Sequence, residues 1–176
     1  MSIEKLIVSS CIILSMCAVR ADTYTWAGGT DTDWSTPSNW IVNDDHQADT
    51  APDDDDDVIL PAPTDAANNY VVTANEPISV NSLTVGSAGA ASGCIATFES
   101  HTNAMHHVAG ELIVYAGGKM MHTALPDTAN AAKGECYKLN VTAQSITIKT
   151  GGMIDVSACG YAGAKGPGTS SGQDGG

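Results

Sequence analysis

The chain has few basic residues. Seven Lys and Arg stand against twenty Asp and Glu among 176 residues, which gives a formal net charge of −13 at pH 7. The one arginine, Arg20, lies near the N-terminus of the chain. Nucleic-acid-binding proteins need a basic face and use arginine to contact phosphates, so the composition argues against that class. A strongly acidic surface suits divalent cations and basic or neutral partners.

Long apolar runs are also scarce. The longest, residues 6–19, is shorter than the roughly 20 residues that a membrane-spanning helix needs. It follows a positively charged N-terminus, and Val19 and Ala21 supply the small side chains that signal peptidase recognises. We therefore predict that residues 1–21 form a cleaved signal peptide and that the mature chain, without a transmembrane span, is secreted or displayed at the cell surface. Lipid attachment at Cys11 is the alternative, but it leaves almost no apolar region before the cysteine.

Cysteine is sparse, and no two cysteines have the CxxC spacing of zinc or redox sites. Three of the five cysteines, Cys94, Cys136 and Cys159, follow the predicted signal peptide. Outside the cytosol, Cys136 and Cys159 could form a disulfide between neighbouring repeats, which leaves Cys94 unpaired. Three small buried apolar side chains are an equally good interpretation.

What the sequence does contain is a repeat. Residues 111–121, ELIVYAGGKMM, match residues 145–155, SITIKTGGMID, at a constant offset of 34 residues. A fainter copy, NSLTVGSAG, begins at residue 81. Alternating apolar residues predict strands with one buried face, and a Gly-Gly pair allows a sharp turn with positive φ. Such units bury their apolar faces only by stacking, so we expect stacked coils.

Equivalent positions of the two copies should then occupy equivalent places. We predict that Val114 and Ile148 both point inward and stack in one column of the core. Gly118 and Gly152 should lie at aligned bends, and at least one of them should have a positive φ.

All three tryptophans, Trp26, Trp34 and Trp40, fall within residues 23–40, TYTWAGGTDTDWSTPSNW. Their mixture with turn-forming residues is not helical. We predict two short strands and a loop whose tryptophans cap the first coil, because the end of a stacked array is an open sheet edge. The functional alternative is an aromatic platform that contacts carbohydrate.

The run of five aspartates at residues 53–57 predicts a solvated loop, because adjacent like charges repel. Calcium binding by Asp53, Asp55 and Asp57 is the weaker alternative, since carboxylates must converge on the ion and consecutive side chains point apart. We expect no cofactor other than this possible Ca²⁺.

Four histidines, His101, His106, His107 and His122, lack any recognised metal-ligand spacing, and we expect them at the surface or in a ladder along the strands. Asn140-Val141-Thr142 is a formal glycosylation sequon, so Asn140 is a possible glycan acceptor in a eukaryotic secretory pathway. Residues 160–176 are rich in glycine and predict a linker or a truncated continuation, so the chain is expected to be an N-terminal fragment.

Taken together, TWAGGTDTDWSTPSNW, the acidic stretch leading to DDVILP, GELIVYAGGKM and SITIKTGGMIDVSACGYAGAKGPG resemble bacterial surface proteins with autotransporter-type, adhesin-like β-helical passengers. The resemblance covers nearly all of the mature chain. It implies a right-handed parallel β-helix and a role in surface display or adhesion, and it carries over no catalytic residues. The Trp-Gly-Gly opening also has a smaller likeness to the extracellular eight-glycine domain.

We therefore predict an all-β fold, a right-handed parallel β-helix with a tryptophan-rich N-terminal cap. The expected divisions are a signal peptide at residues 1–21, the cap and acidic loop at 22–57, solenoid coils at 58–159 and a glycine-rich end at 160–176. The expected function is a non-catalytic structural or adhesin-like module that binds an extracellular surface or carbohydrate. The alternative is a fragment of a polysaccharide lyase or hydrolase, for which Glu99, Glu111 and Asp155 are isolated candidates.

Overall fold

The computed structural model describes residues 21–126 and 136–161. Most of the predicted signal peptide and most of the glycine-rich end lie outside the described residues. The all-β prediction is confirmed, because the described part of the chain is mostly sheet and has no α-helix. Two short 3₁₀ turns, Pro37–Asn39 and Ala66–Asn68, are the helical segments found there.

Twelve strands form two sheets within the described residues. The first sheet contains β1 (Thr23–Trp26), β2 (Trp40–Val42), β3 (His46–Gln47), β4 (Asp57–Leu60), β6 (Ser79–Val80), β7 (Ser82–Val85), β9 (His106–Val114) and β11 (Val141–Ile148). The second contains β5 (Tyr70–Ala74), β8 (Ala96–Ser100), β10 (Gly118–His122) and β12 (Met153–Ile154).

From β4 onward the chain passes back and forth between the two sheets. Strands β4, β7, β9 and β11 are parallel neighbours in the first sheet, and β5, β8, β10 and β12 are parallel neighbours in the second. The short strand β6 also pairs with β9 in parallel. Each round trip therefore adds one long-range parallel strand to each sheet.

The register of the first sheet follows the sequence repeat. Leu112 pairs with Ile146, and Val114 pairs with Ile148, so residues 34 apart in the sequence are direct neighbours in the sheet. Leu83 and Val85 of the fainter copy pair in turn with Leu112 and Val114. The register of β11 against β9 shifts at a bulge between Ala143 and Ser145, just before the matched positions begin.

Burial changes sharply at the last strand. Val114 is fully buried, whereas Ile148 is 49% exposed and Ile146 is 50% exposed. The prediction that Ile148 is buried in the core is therefore wrong: β11 is the last described strand on its side of the sheet, so no described strand covers it. The other large exposed apolar side chains of this end are Met153, Ile154 and Val156.

The two Gly-Gly corners are equivalent, but the roles within each pair differ from the prediction. Positive φ occurs at the first glycine, 69° at Gly117 and 85° at Gly151. The second glycines, Gly118 and Gly152, instead press against the carbonyl groups of Val85 and Val114, where a Cβ atom would collide. The first glycine makes the turn, and the second allows close approach to the preceding repeat.

At the opposite end of the first sheet, the strand pairing changes from parallel to antiparallel. Strand β1 pairs in parallel with β4 on one side and antiparallel with β2 on the other, and β3 continues antiparallel from β2. The three tryptophans are all buried in the core cluster, and Trp26 of β1 pairs with Trp40 of β2. A short edge strand, His46–Gln47, whose residues are exposed, ends the sheet.

Candidate functional site

The aromatic residues of the N-terminal region form a packed cluster. Trp40 makes edge contacts with Trp26 at 5.0 Å and with Trp34 at 4.8 Å between ring centroids, and its Nε1 donates a hydrogen bond to the Trp34 carbonyl at 2.8 Å. Trp26 also stacks on Tyr70, and Trp34 meets Phe98 edge-on. These rings are core residues, so the structure offers none of the three tryptophans as an open platform for sugar.

Asn39 fixes the loop that joins β1 to β2. It is fully buried, its side-chain amide donates to the Asp31 carboxylate at 2.8 Å and to the Asp33 carbonyl at 3.0 Å, and its oxygen accepts from the Thr30 amide. The hydrogen bond from Asn39 is the main reason that the pKa of Asp31 is lowered. The loop therefore presents Asp33 and its neighbours in a defined conformation.

The five consecutive aspartates form a turn and the start of β4. Asp56 is buried, and its carboxylate accepts a hydrogen bond from the Asp53 amide at 2.9 Å; burial raises its pKa. Asp53 accepts from the Asp55 amide, and Asp57 accepts from Asn81 at 2.8 Å and Ser82 at 2.5 Å. Of the three calcium candidates, Asp53 and Asp57 thus accept hydrogen bonds from different groups of the protein, and Asp55 donates its amide to Asp53.

Metal-ligating side chains do not converge elsewhere in the described ranges either. Residues 21–126 and 136–161 contain no group of three or more His, Cys, Asp or Glu that could hold a metal ion. His106 and His107 face opposite sides of β9, one buried and one exposed, as their adjacency predicts.

A cavity of about 400 Å³ opens beside the acidic turn. Its apolar lining comes from three segments: Trp34 of the β1–β2 loop, Ala51 and Pro52 before the aspartates, and the stretch after β5. That last stretch contributes Ala74, Pro77 and Ile78. Such a volume lies within the range of small-ligand pockets.

The same cavity is ringed by carboxylates. Asp33, Asp53, Asp54 and Glu76 line it, and none of the described residues that line it is basic. Asp33 accepts hydrogen bonds from Ser35 and Asn75, and the bond from the Ser35 amide is the main reason that its pKa is lowered. We call this feature the acidic cavity.

A buried histidine contacts Ile78, one of the residues that line the acidic cavity. His106 is 1% exposed, its Nδ1 accepts from the Ile78 amide at 3.1 Å, and its Nε2 lies 2.8 Å from the Ser100 hydroxyl. Because Nδ1 is an acceptor, Nε2 carries the proton and donates to Ser100, whose hydroxyl donates to the Lys138 carbonyl at 2.8 Å. Burial lowers the pKa of His106 to about 4. The surface alternative is wrong for this histidine, which is buried and lies in the strand ladder, paired with Val141.

The carboxylates considered for catalysis are not isolated. Glu99 lies 3.5 Å from Nε2 of His101, whose ring contacts that of Tyr137, so a carboxylate and an imidazole are neighbours on the outer face of the second sheet. Asp155 pairs with Lys119 at 3.2 Å. Glu111 accepts a hydrogen bond from Thr147 at 3.2 Å. The partners of Asp155 and Glu111 come from different repeats, so sequence spacing could not indicate them, whereas Glu99 and His101 are only two residues apart in the chain.

All three described cysteines are free thiols, and the Cys136–Cys159 disulfide is not formed. Cys94 and Cys159 are buried, and the Cys159 thiol points at the Ser157 carbonyl at 3.4 Å. Cys136 is partly exposed and contacts the Asn103 amide. The interpretation of small apolar side chains therefore fits Cys94 and Cys159.

Asn140, the possible glycan acceptor, is exposed, while its carbonyl accepts a hydrogen bond from the His106 amide at the start of β9.

Across the described ranges, no helix has the length and apolar character needed to cross a membrane.

Comparison of the chain with protein-family models, with characterised proteins and with solved structures finds no match. The function must therefore be argued from the geometry of the chain itself.

Proposed function

We propose that the chain is a non-catalytic structural module of a secreted or cell-surface protein, adhesin-like in character and built as a right-handed parallel β-helix with a tryptophan-rich N-terminal cap. The observation that carries the proposal is the register of Leu60, Val85, Val114 and Ile148 on successive parallel neighbours of one sheet. The strands between them join a second parallel sheet. This alternation is what stacked coils require.

Two properties of the surface support a role in display rather than chemistry. The chain is acidic, with a formal net charge of −13, which favours solubility and discourages self-association. The candidate carboxylates Glu111 and Asp155 are engaged with Thr147 and Lys119 on separate sheets. A glycoside hydrolase needs two carboxyl groups that flank one bond.

The proposed location is tested by expressing residues 1–176 in a Gram-negative host and sequencing the N-terminus of the exported protein. The proposal expects material outside the cytoplasm that begins at Asp22. Cytoplasmic protein that retains Met1 would contradict export, and a lipid on Cys11 would replace free secretion with membrane anchoring.

The proposed adhesive role is tested by measuring retention of fluorescently labelled full chain on immobilised extracellular polysaccharides and on whole cells. Saturable retention on at least one surface is expected, with no release of new sugar ends during incubation. Retention on none of the surfaces would remove the adhesin-like part of the proposal.

A polysaccharide lyase or hydrolase is the second candidate, because Glu99 and His101 lie 3.5 Å apart on an outer face. A carboxylate beside an imidazole is a common acid–base arrangement. Cleavage of a polysaccharide that disappears in Glu99→Gln, but persists in the matched Glu111→Gln variant, would establish this candidate instead.

A further inference from the structure

We propose that the acidic cavity binds a small aliphatic amine that carries more than one ammonium group. The proposal goes beyond the structural role argued above and does not depend on it. It rests on a cavity of about 400 Å³ that combines an apolar lining with carboxylates on three different segments of the chain.

The apolar lining selects for a ligand with a hydrocarbon body. Trp34 and Ile78 are buried residues whose accessible atoms form part of the wall, and Pro52 and Pro77 contribute rigid apolar rings. A hydrated metal ion gains no binding free energy from an apolar lining, and the described residues contain no set of three or more His, Cys, Asp or Glu that could ligate one. An alkyl chain does gain binding free energy, because its burial removes apolar surface from water.

The carboxylates select for positive charge. Asp54 and Glu76 are exposed and accept no side-chain hydrogen bond from the described part of the chain, so they are available to a ligand. Asp33 is held in place by Ser35 and Asn75, which fixes a third negative charge. Because no described basic residue lines the acidic cavity, an incoming ammonium group meets no competing cation of the protein.

The charges also come from segments that the fold brings together. Asp33 precedes Trp34 in the β1–β2 loop, Asp54 lies in the acidic turn, and Glu76 follows β5. An amine with ammonium groups at both ends of an alkyl chain combines the positive charge that these carboxylates attract with the methylene groups that the apolar wall favours. A single ammonium ion cannot do both.

The test is isothermal titration of the full chain with spermidine at low ionic strength, because salt screens such contacts. Saturable one-to-one binding is expected. Glu76→Gln and Asp54→Asn should each weaken it about two- to fivefold, as expected for partly exposed ion pairs. Ala51→Phe, which fills the acidic cavity without changing any charge, should abolish it.

The matched control is Asp44→Asn. It removes one negative charge from an exposed turn outside the acidic cavity, and asparagine tolerates the positive φ of 57° found there. Unfolding midpoints verify that each variant is folded. The proposal would be overturned if spermidine showed no saturable binding, or if Asp44→Asn weakened binding as much as Glu76→Gln. It would also be overturned if folded Ala51→Phe bound spermidine normally, or if magnesium displaced spermidine when both supply the same concentration of positive charge.

Discussion

Val114 and Ile148 are direct partners on neighbouring parallel strands, yet one is fully buried and the other is 49% exposed. The two residues occupy the same place in the sequence repeat. They differ because a further strand covers Val114, whereas Ile148 lies on the last described strand of the sheet. Position along the stack, rather than the local pattern, therefore decides how much each residue contributes to stability.

Aspartate at these two positions should have unequal effects. Val114→Asp should lower the free energy of unfolding by about 3–5 kcal/mol, because a charge without a partner enters the core. Ile148→Asp should cost less than about 1 kcal/mol, since its side chain keeps access to water. Urea unfolding of the full chain measures both. Equal losses for the two variants would contradict the difference in burial.

His106 should make stability depend on pH. Its pKa falls from 6.5 in the unfolded chain to about 4 in the folded protein, so the unfolded chain binds more protons between these values. The contribution of His106 to the free energy of unfolding should therefore be fully present above pH 6.5, decrease as the pH is lowered towards 4, and change no further below that. The contribution is about 3 kcal/mol.

The measurement compares the pH dependence of the unfolding free energy in the wild type with that of His106→Gln and of the exposed His107→Gln. His106→Gln should remove this part of the slope even if it also lowers stability at every pH. His107→Gln should keep the wild-type slope. A slope unaffected by His106→Gln would show that the histidine titrates normally.

The second glycine of each corner should tolerate no side chain. In Gly118→Ala the new methyl group would collide with the Val85 carbonyl, so we expect a loss of about 1–3 kcal/mol or more. Gly160→Ala is the matched control, because its Cβ would meet no atom within 4 Å and its φ is not positive. That control should change stability by less than about 0.5 kcal/mol. Unfolding in urea distinguishes the two, and a neutral Gly118→Ala would argue against the close approach of the repeats.

Calcium should have little effect on stability. Asp57 is engaged with Asn81 and Ser82, and Asp53 with the amide of Asp55, so these carboxylates do not face one ion. Unfolding midpoints with calcium and with chelator should nearly coincide. A bound ion at a hundredfold excess over its Kd would add about 3 kcal/mol, which would raise the midpoint by several degrees.

Much of the fold could be predicted because it is periodic. The spacing of Leu112 and Ile146 fixes a register that the sheet then repeats, since a one-residue slip would turn every side chain to the opposite face. The tryptophan-rich opening predicts a cap of buried aromatic rings, and all three tryptophans are buried in the core cluster next to the antiparallel strands. Both inferences depend only on local pattern and on the need to cover apolar surface.

The site could not be predicted in the same way. The contacts of His106 with Ile78 and Ser100 join three separate strands or loops, and nothing in a linear spacing identifies them. The pairs of Asp155 with Lys119 and of Glu111 with Thr147 likewise join strands that are far apart in the sequence. The close approach of Gly118 to the Val85 carbonyl is a contact with the preceding repeat, which only the stacked structure supplies.

The central claim, that successive repeats stack in register as parallel neighbours, is tested most directly by methyl NOEs in the full chain. Specific labelling of Leu, Val and Ile should reveal contacts from Val114 to Val85 and to Ile148, and from Leu112 to Leu83 and to Ile146. Val85 and Ile148 should show none, because they lie two strands apart, roughly 10 Å. Missing contacts between Val114 and Ile148, or direct contact between Val85 and Ile148, would contradict the account.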